Sequence, residues 1–141
     1  MSNIPAGLLL DYAPMDREHE VLLGMVGQLE AIAASGSRDG VGDIVSRLAA
    51  YIDVHFKHEE ALMQANGYPH LADHLSQHVD MRHHVRCMST LTTHGFDEAA
   101  MCGVKMLQGW LSWHVSGTDQ QLVMFLKAHG VADPEATLVH S

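Results

Sequence analysis

The sequence predicts an all-α protein, an up-down-up-down antiparallel four-helix bundle with an extended N-terminal arm and a short C-terminal extension. Three observations carry this prediction. Apolar residues recur at spacings of three and four along four long segments. Three glycine-bearing breaks separate those segments. The breaks are short, so each helix must run back beside the one before it. Composition agrees: aromatic residues are only 6% of the chain and β-branched runs are absent, which favours helix over sheet. A chain of 141 residues suits one domain with one core.

The first helix is predicted from about Asp16 to Ala34, with Leu22, Leu23, Val26, Leu29 and Ile32 on its apolar side. The stretch Ser35-Gly36-Ser37-Arg38-Asp39-Gly40 ends it. The second spans about Val41 to Ala65 and stops at Asn66-Gly67, as a left-handed residue at a helix end would dictate. Pro69 suits the first turn of a third helix reaching about Thr92, which Gly95 breaks. The fourth starts near Phe96-Asp97 and continues past a weak point at Gly117 to about Ala128. The expected organisation is a single domain over residues 1–141: an arm over 1–15, a bundle over about 16–128 and a loose tail over 129–141.

A formal charge of −9 argues against non-specific nucleic-acid binding, which needs a basic face. No cationic, apolar, small-residue leader is visible and Leu8 to Leu10 is far too short to span a bilayer, so a soluble cytoplasmic protein without a membrane span is expected. Cys87 and Cys102 do not make a disulfide framework, and two buried free thiols are expected.

Twelve histidines are the compositional outlier. Pairs such as His70/His74 and His74/His78 share a helix face, but at this histidine frequency chance also produces such pairs. Register is more informative. In antiparallel helices, residues equidistant from the connecting turn lie at one height. With turn centres near residues 37, 67 and 95, His55 reflects onto His19, Glu59 falls beside His74, and His114 falls between His74 and His78. One layer therefore receives His19, His55, Glu59, His74, His78 and His114, since a register error of two residues is only about 3 Å. His58 is at the right height but off the His55/Glu59 stripe. His70, His83, His84, His94, His129 and His140 lie at other heights or near ends and read as surface or half-buried residues. A metal-free polar layer would need an internal partner for every buried group, and an apolar layer would be more stable.

Asp119 is a separate case. Five residues after His114, it lies about 140° away on an ideal helix. Both face inward only if the helix widens or breaks locally, for which Gly117 is the natural place. Spacing alone leaves Asp119 open. The donor set of imidazoles and carboxylates suits iron, manganese or zinc rather than soft metals. A ferritin-like oxidase would carry more carboxylates and paired Glu-x-x-His motifs, which are absent, as is the His-Glu-x-x-His motif of metalloproteases.

The order His19, His55-x-x-x-Glu59, His74-x-x-x-His78 and His114-x-x-x-x-Asp119 resembles the hemerythrins. Asp16-Arg17-Glu18-His19, Tyr51 with His55-Phe56, Glu59-Glu60, Leu62-Met63, Tyr68-Pro69 and Trp110-Leu111 strengthen the likeness, most of all to the single-domain bacteriohemerythrins. It covers roughly residues 8–128. The resemblance implies two iron ions with a bridging oxo or hydroxo group, bridged further by Glu59 and Asp119. His74, His78 and His114 would complete one iron. His19 and His55 would hold the other, which keeps a position for dioxygen, and Leu111 would wall that oxygen pocket. Glu60 would support the ligands or lie on the surface; Met81, where the family often has an aromatic residue, and the bulky Trp113 depart from the family's pattern and are read as ordinary core packing. The implied function is reversible dioxygen binding, as carrier, store or buffer, without catalytic turnover. An oxygen or redox sensor acting through a separate partner, and a di-iron enzyme acting on peroxide or nitric oxide, are the alternatives.

Overall fold

The computed structural model of the chain describes residues 5–131 and 133. After a 3-10 turn at Ala6–Leu8 come α1 (Ala13–Ser35), α2 (Val41–Ala65) and α3 (Leu71–Thr93). The fourth rod is composite: α4 (Asp97–Met101), α5 (Val104–Trp113), a π-helical segment (His114–Asp119) and α6 (Gln120–Ala128). It packs on both α1 and α3 and so closes a four-helix bundle. Among the described residues no helix is long and apolar enough to cross a membrane.

Two of the turns close in the same way. Gly67 (φ 61°) lets the Tyr68 N–H reach back to the Met63 carbonyl at 3.0 Å, and Gly95 (φ 81°) lets Phe96 reach Leu91 at 2.8 Å. Both place a left-handed glycine just past the helix, where a side chain would cost conformational energy.

Three local features differ from the sequence expectation. Helix α1 begins at Ala13, because Pro14 is tolerated in a first turn whose N–H groups lack helical partners. The Asp16 carboxylate then accepts from the N–H of Leu10 at 2.9 Å and of Tyr12 at 3.1 Å, strapping the preceding segment to the bundle. The Asp133 carboxylate accepts from the Ala13 N–H at 2.8 Å; residues 134–141, with His140, lie outside the described residues. Helix α3 begins at Leu71, after a turn in which Leu71 N–H bonds to the Tyr68 carbonyl. The fourth rod unwinds at Cys102–Gly103, where a Cβ on Gly103 would meet Met88 Sδ at 3.0 Å and His84 Nε2 at 3.1 Å, so a larger residue would have to push these side chains of α3 aside.

Two expectations are overturned. Cys87 and Cys102 are exposed rather than buried: one sits on the outer side of α3, the other at the unwound turn. Trp113 is 56% exposed and is not core packing, whereas Met81 is buried. Helical periodicity places Trp113 one step outward from the inward-facing His114, which decides its exposure.

The core is split. One apolar cluster contains Leu22, Ile52, Phe56, Met81 and Leu111. A second contains Met15, Met63, Tyr68, Leu122 and Val123. Between them lies a layer of polar side chains that belongs to neither.

Candidate metal centre

That layer contains His19, His55, Glu59, His74, His78, His114 and Asp119, each 1% exposed or less. α1 contributes one imidazole, α2 an imidazole and a carboxylate one turn apart, and α3 two imidazoles one turn apart. The π segment contributes His114 and Asp119. Its wider turn brings residues five apart back onto one face, which an α-helix would not do. The widening expected near Gly117 is therefore real and spans residues 114–119.

All five imidazoles aim Nε2 inward. Glu59 Oε1 is 3.0 Å from His78 and 3.2 Å from His74, while its Oε2 is 2.9 Å from His55 and 3.5 Å from His19. Asp119 Oδ1 is 3.1 Å from His74 and 3.2 Å from His114, while its Oδ2 is 3.1 Å from His19. The donors thus fall into two groups that share both carboxylates: His74, His78 and His114 in one, His19 and His55 in the other.

Inward closeness does not satisfy these atoms. Nε2 of His19, His78 and His114, Oε2 of Glu59 and both Asp119 oxygens are buried without a well-formed hydrogen bond. Orphaned buried polar atoms are rare in folded proteins and ask for an explanation. Converging imidazole and carboxylate donors with no partner fit a cation.

Three of the five far nitrogens are held from behind, while Nδ1 of His19 and His74 is buried without a hydrogen-bond partner. His55 Nδ1 donates to Glu18 at 2.8 Å, and Glu18 also contacts His58 Nδ1 at 2.6 Å. His78 Nδ1 donates to Glu60 at 2.8 Å. His114 Nδ1 donates to the Gln77 side-chain oxygen at 2.7 Å, which also accepts from Thr118 Oγ1 at 2.7 Å. Such bonds fix ring orientation and tautomer. The His78 ring stacks on Phe56 at 3.7 Å and the His114 ring on Trp110 at 4.3 Å.

The electrostatics are coupled. Burial opposes charge on His19, but the close approach of the Asp119 and Glu59 carboxylates outweighs this and holds it up at about 9. Burial is likewise overcome at His55, which Glu59 and Glu18 raise to about 10, and at His74, which Asp119 and Glu59 raise to about 9. Burial would raise both carboxylates, but the surrounding imidazoles hold Glu59 and Asp119 well below the usual carboxylate range. Without a cation, protons are the only positive charge these carboxylates can gather.

The structure brings together all six residues placed in one layer by register, and adds Asp119. Leu111, one turn before His114, is 2% exposed in the adjoining apolar cluster. His58, His70, His83, His94 and His129 are exposed and His84 half-buried, all outside the layer. Glu60 is placed behind His78. Sequence reasoning missed the supporting roles of Glu18 and Gln77. The same reflection would have found them: Glu18 maps to residue 56, between His55 and His58, and Gln77 maps to 113, beside His114. A groove of about 1180 Å³ between α1 and α2, lined by Tyr12, Met15, Glu18, Tyr51 and Leu62, reaches Glu59.

Residues 10–126 match the model of the hemerythrin HHE cation binding domain. The chain belongs to the hemerythrin family. It is 30% identical over 115 residues to the bacteriohemerythrin of Stenotrophomonas maltophilia, covering 82% of this chain and 74% of that protein. It is 29% identical over 105 residues to the bacteriohemerythrin of Methylococcus capsulatus, covering 74% of this chain and 80% of that one. A crystal structure of wild-type hemerythrin superposes with a TM-score of 0.76 at 26% identity, covering 86% of this chain and 93% of that chain. The hemerythrin family thus supplies the fold, and the paired donor groups found here are what a cation-binding member of it would carry.

Proposed function

We propose that this hemerythrin-family chain holds two iron ions and binds dioxygen reversibly, without catalytic turnover. One observation carries the reading: Glu59 and Asp119 each turn one oxygen to a three-imidazole group and the other to a two-imidazole group. His74, His78 and His114 would hold one ion, His19 and His55 the other, and the two carboxylates, with an oxo or hydroxo group, would bridge them. When bound, a reduced pair of irons supplies the two electrons that dioxygen takes up and gives back.

The chain's own residues support reversibility. The two-imidazole side has one donor fewer, which would leave room for a small gas molecule. Leu22, Ile52, Met81 and Leu111 lie one turn from His19, His55, His78 and His114 and form an apolar floor against the layer. An apolar floor excludes water, whose entry would assist irreversible oxidation. Glu18, Glu60 and Gln77 hold three of the imidazoles in orientation. The groove that reaches Glu59 offers a path from solvent. Two exposed thiols suit a reducing compartment such as the cytoplasm.

The test is optical. Iron-loaded, reduced protein exposed to air should develop a visible charge-transfer absorption that fades on degassing and returns with oxygen. Immediate oxidation that degassing does not reverse would sink the carrier reading.

A further inference from the structure

The carboxylate behind each half of the centre has a different second partner. On the two-imidazole side, Glu18 is shared between His55 and the exposed imidazole of His58. On the three-imidazole side, Glu60 is shared between His78 and a guanidinium. Arg82 Nη1 donates to Glu60 Oε2 at 2.8 Å, the same oxygen that accepts from His78 Nδ1 at 2.8 Å. Arg82 Nε donates to Asp53 at 3.0 Å, which fixes the planar group from its other edge. The Arg82 Cζ lies 5.3 Å from the centre of the Phe56 ring, and that ring stacks on His78 at 3.7 Å with an interplanar angle of 3°. His78, Glu60, Arg82 and Phe56 thus form a closed circuit of contacts, and Arg82 and Glu60 are only 19% and 18% exposed.

We propose that Arg82 is a positioning residue that tunes the redox balance of the centre by withdrawing Glu60's negative charge from His78. A carboxylate behind a metal-bound imidazole makes that imidazole a stronger donor and favours the more oxidised ion. A guanidinium on the same carboxylate oxygen counters that push. It also adds a positive charge in a half-buried region, where screening by water is weak. Both effects favour the reduced, oxygen-ready pair. The bidentate hold of Arg82 on Glu60 and Asp53 keeps this charge in place, a geometry lysine cannot copy. This inference rests on the iron reading above.

The experiment is a spectroelectrochemical titration of the iron-loaded wild type, Arg82→Met, Glu60→Gln and the double variant, with iron content measured for each. Arg82→Met keeps the apolar stem and removes the charge, so its midpoint potential should fall and its reduced form should oxidise in air several-fold faster. Glu60→Gln keeps an acceptor for His78 and removes the negative charge, so its midpoint should rise. The double variant should return toward wild type, and Arg82→Lys should restore part of the shift. Lys57→Met, on an exposed side chain that meets Asp53 at 2.9 Å, should leave the midpoint unmoved. A merely structural role would move Arg82→Met and Glu60→Gln in the same direction, and that result overturns the proposal, as do unmoved potentials. If Arg82→Met does not fold, Arg82→Gln takes its place: a midpoint below wild type supports the proposal, and no fall overturns it. A wild-type chain that takes up no iron overturns the metal reading and this inference with it, whereas iron-loaded variants with unmoved potentials overturn the inference only.

Discussion

Glu59 and Asp119 face each other across the bundle as equivalents: each offers one oxygen to His74, at 3.2 and 3.1 Å, and the other to His19, at 3.5 and 3.1 Å. They reach this relationship from different backbones. Glu59 lies one α-helical turn after His55, while Asp119 lies one π turn after His114. Removing one bridge should therefore cost the pair rather than one ligand of one ion. Asp119→Asn should lower iron content from both ions to one or fewer per chain, with the helical content unchanged. Metal analysis beside circular dichroism checks this, and full iron loading in the variant would refute bridging by Asp119.

The π segment is a matter of register, not of glycine. A Cβ on Gly117 would meet nothing within 4 Å, and Gly117 is exposed. Gly117→Ala should keep the widened turn and the iron, and stabilise the fold by about 0.5–1 kcal/mol through the unfolded chain's lost freedom. Urea denaturation measures the gain. A loss of iron would mean that glycine itself permits the widening.

Protons and metal compete for the same nitrogens. In the metal-free chain His19, His55 and His74 are raised from 6.5 to about 9, 10 and 9 by the carboxylates they face. A raised folded-state value means a stabilising contribution that is complete below about 6.5 and is lost as pH climbs through 9–10. The depressed carboxylates act oppositely, contributing above their ordinary range and failing only in acid. The melting temperature of metal-free protein should thus fall from pH 6.5 to 10, while iron-loaded protein, whose imidazoles have already given up those protons, should not show this fall. Parallel melts across that range check it.

Leu111 is buried against the polar layer and belongs to the cluster containing Ile52 and Phe56. Leu111→Ala should destabilise the protein by about 2–5 kcal/mol through the cavity it leaves. If Leu111 walls the oxygen site, the same change should admit water and speed oxidation of the reduced protein in air. A stability loss with an unchanged oxidation rate would confine Leu111 to packing. Stopped-flow absorption and chemical denaturation separate the two.

Much of this is legible in the sequence. Heptad-like spacing marked the helices, glycines marked the reversals, and reflection through the turns brought His19, His55, Glu59, His74, His78 and His114 to one height. That works because an α-helix rises uniformly and short turns leave little freedom of register. Burial of individual residues was less legible. Cysteine is apolar enough to be expected inside, yet Cys87 lies on the outer face of α3 and Cys102 at an exposed turn, because position in the fold and not the residue type decides.

The sequence by itself determined the number of helices, their antiparallel order and the height of the polar layer, since these follow from periodicity and turn length. The division of the donors into two groups came from the family resemblance and not from spacing, and only the tertiary structure decided that Glu18, Glu60 and Gln77 stand behind them. Whether Asp119 faces inward depends on a single π turn, and Glu60 of α2 meets both His78 and Arg82 only because α3 turns them to the same face. Both are matters of rotation about a helix axis, which spacing along the chain does not encode once a helix departs from its ideal pitch or a partner lies on another helix.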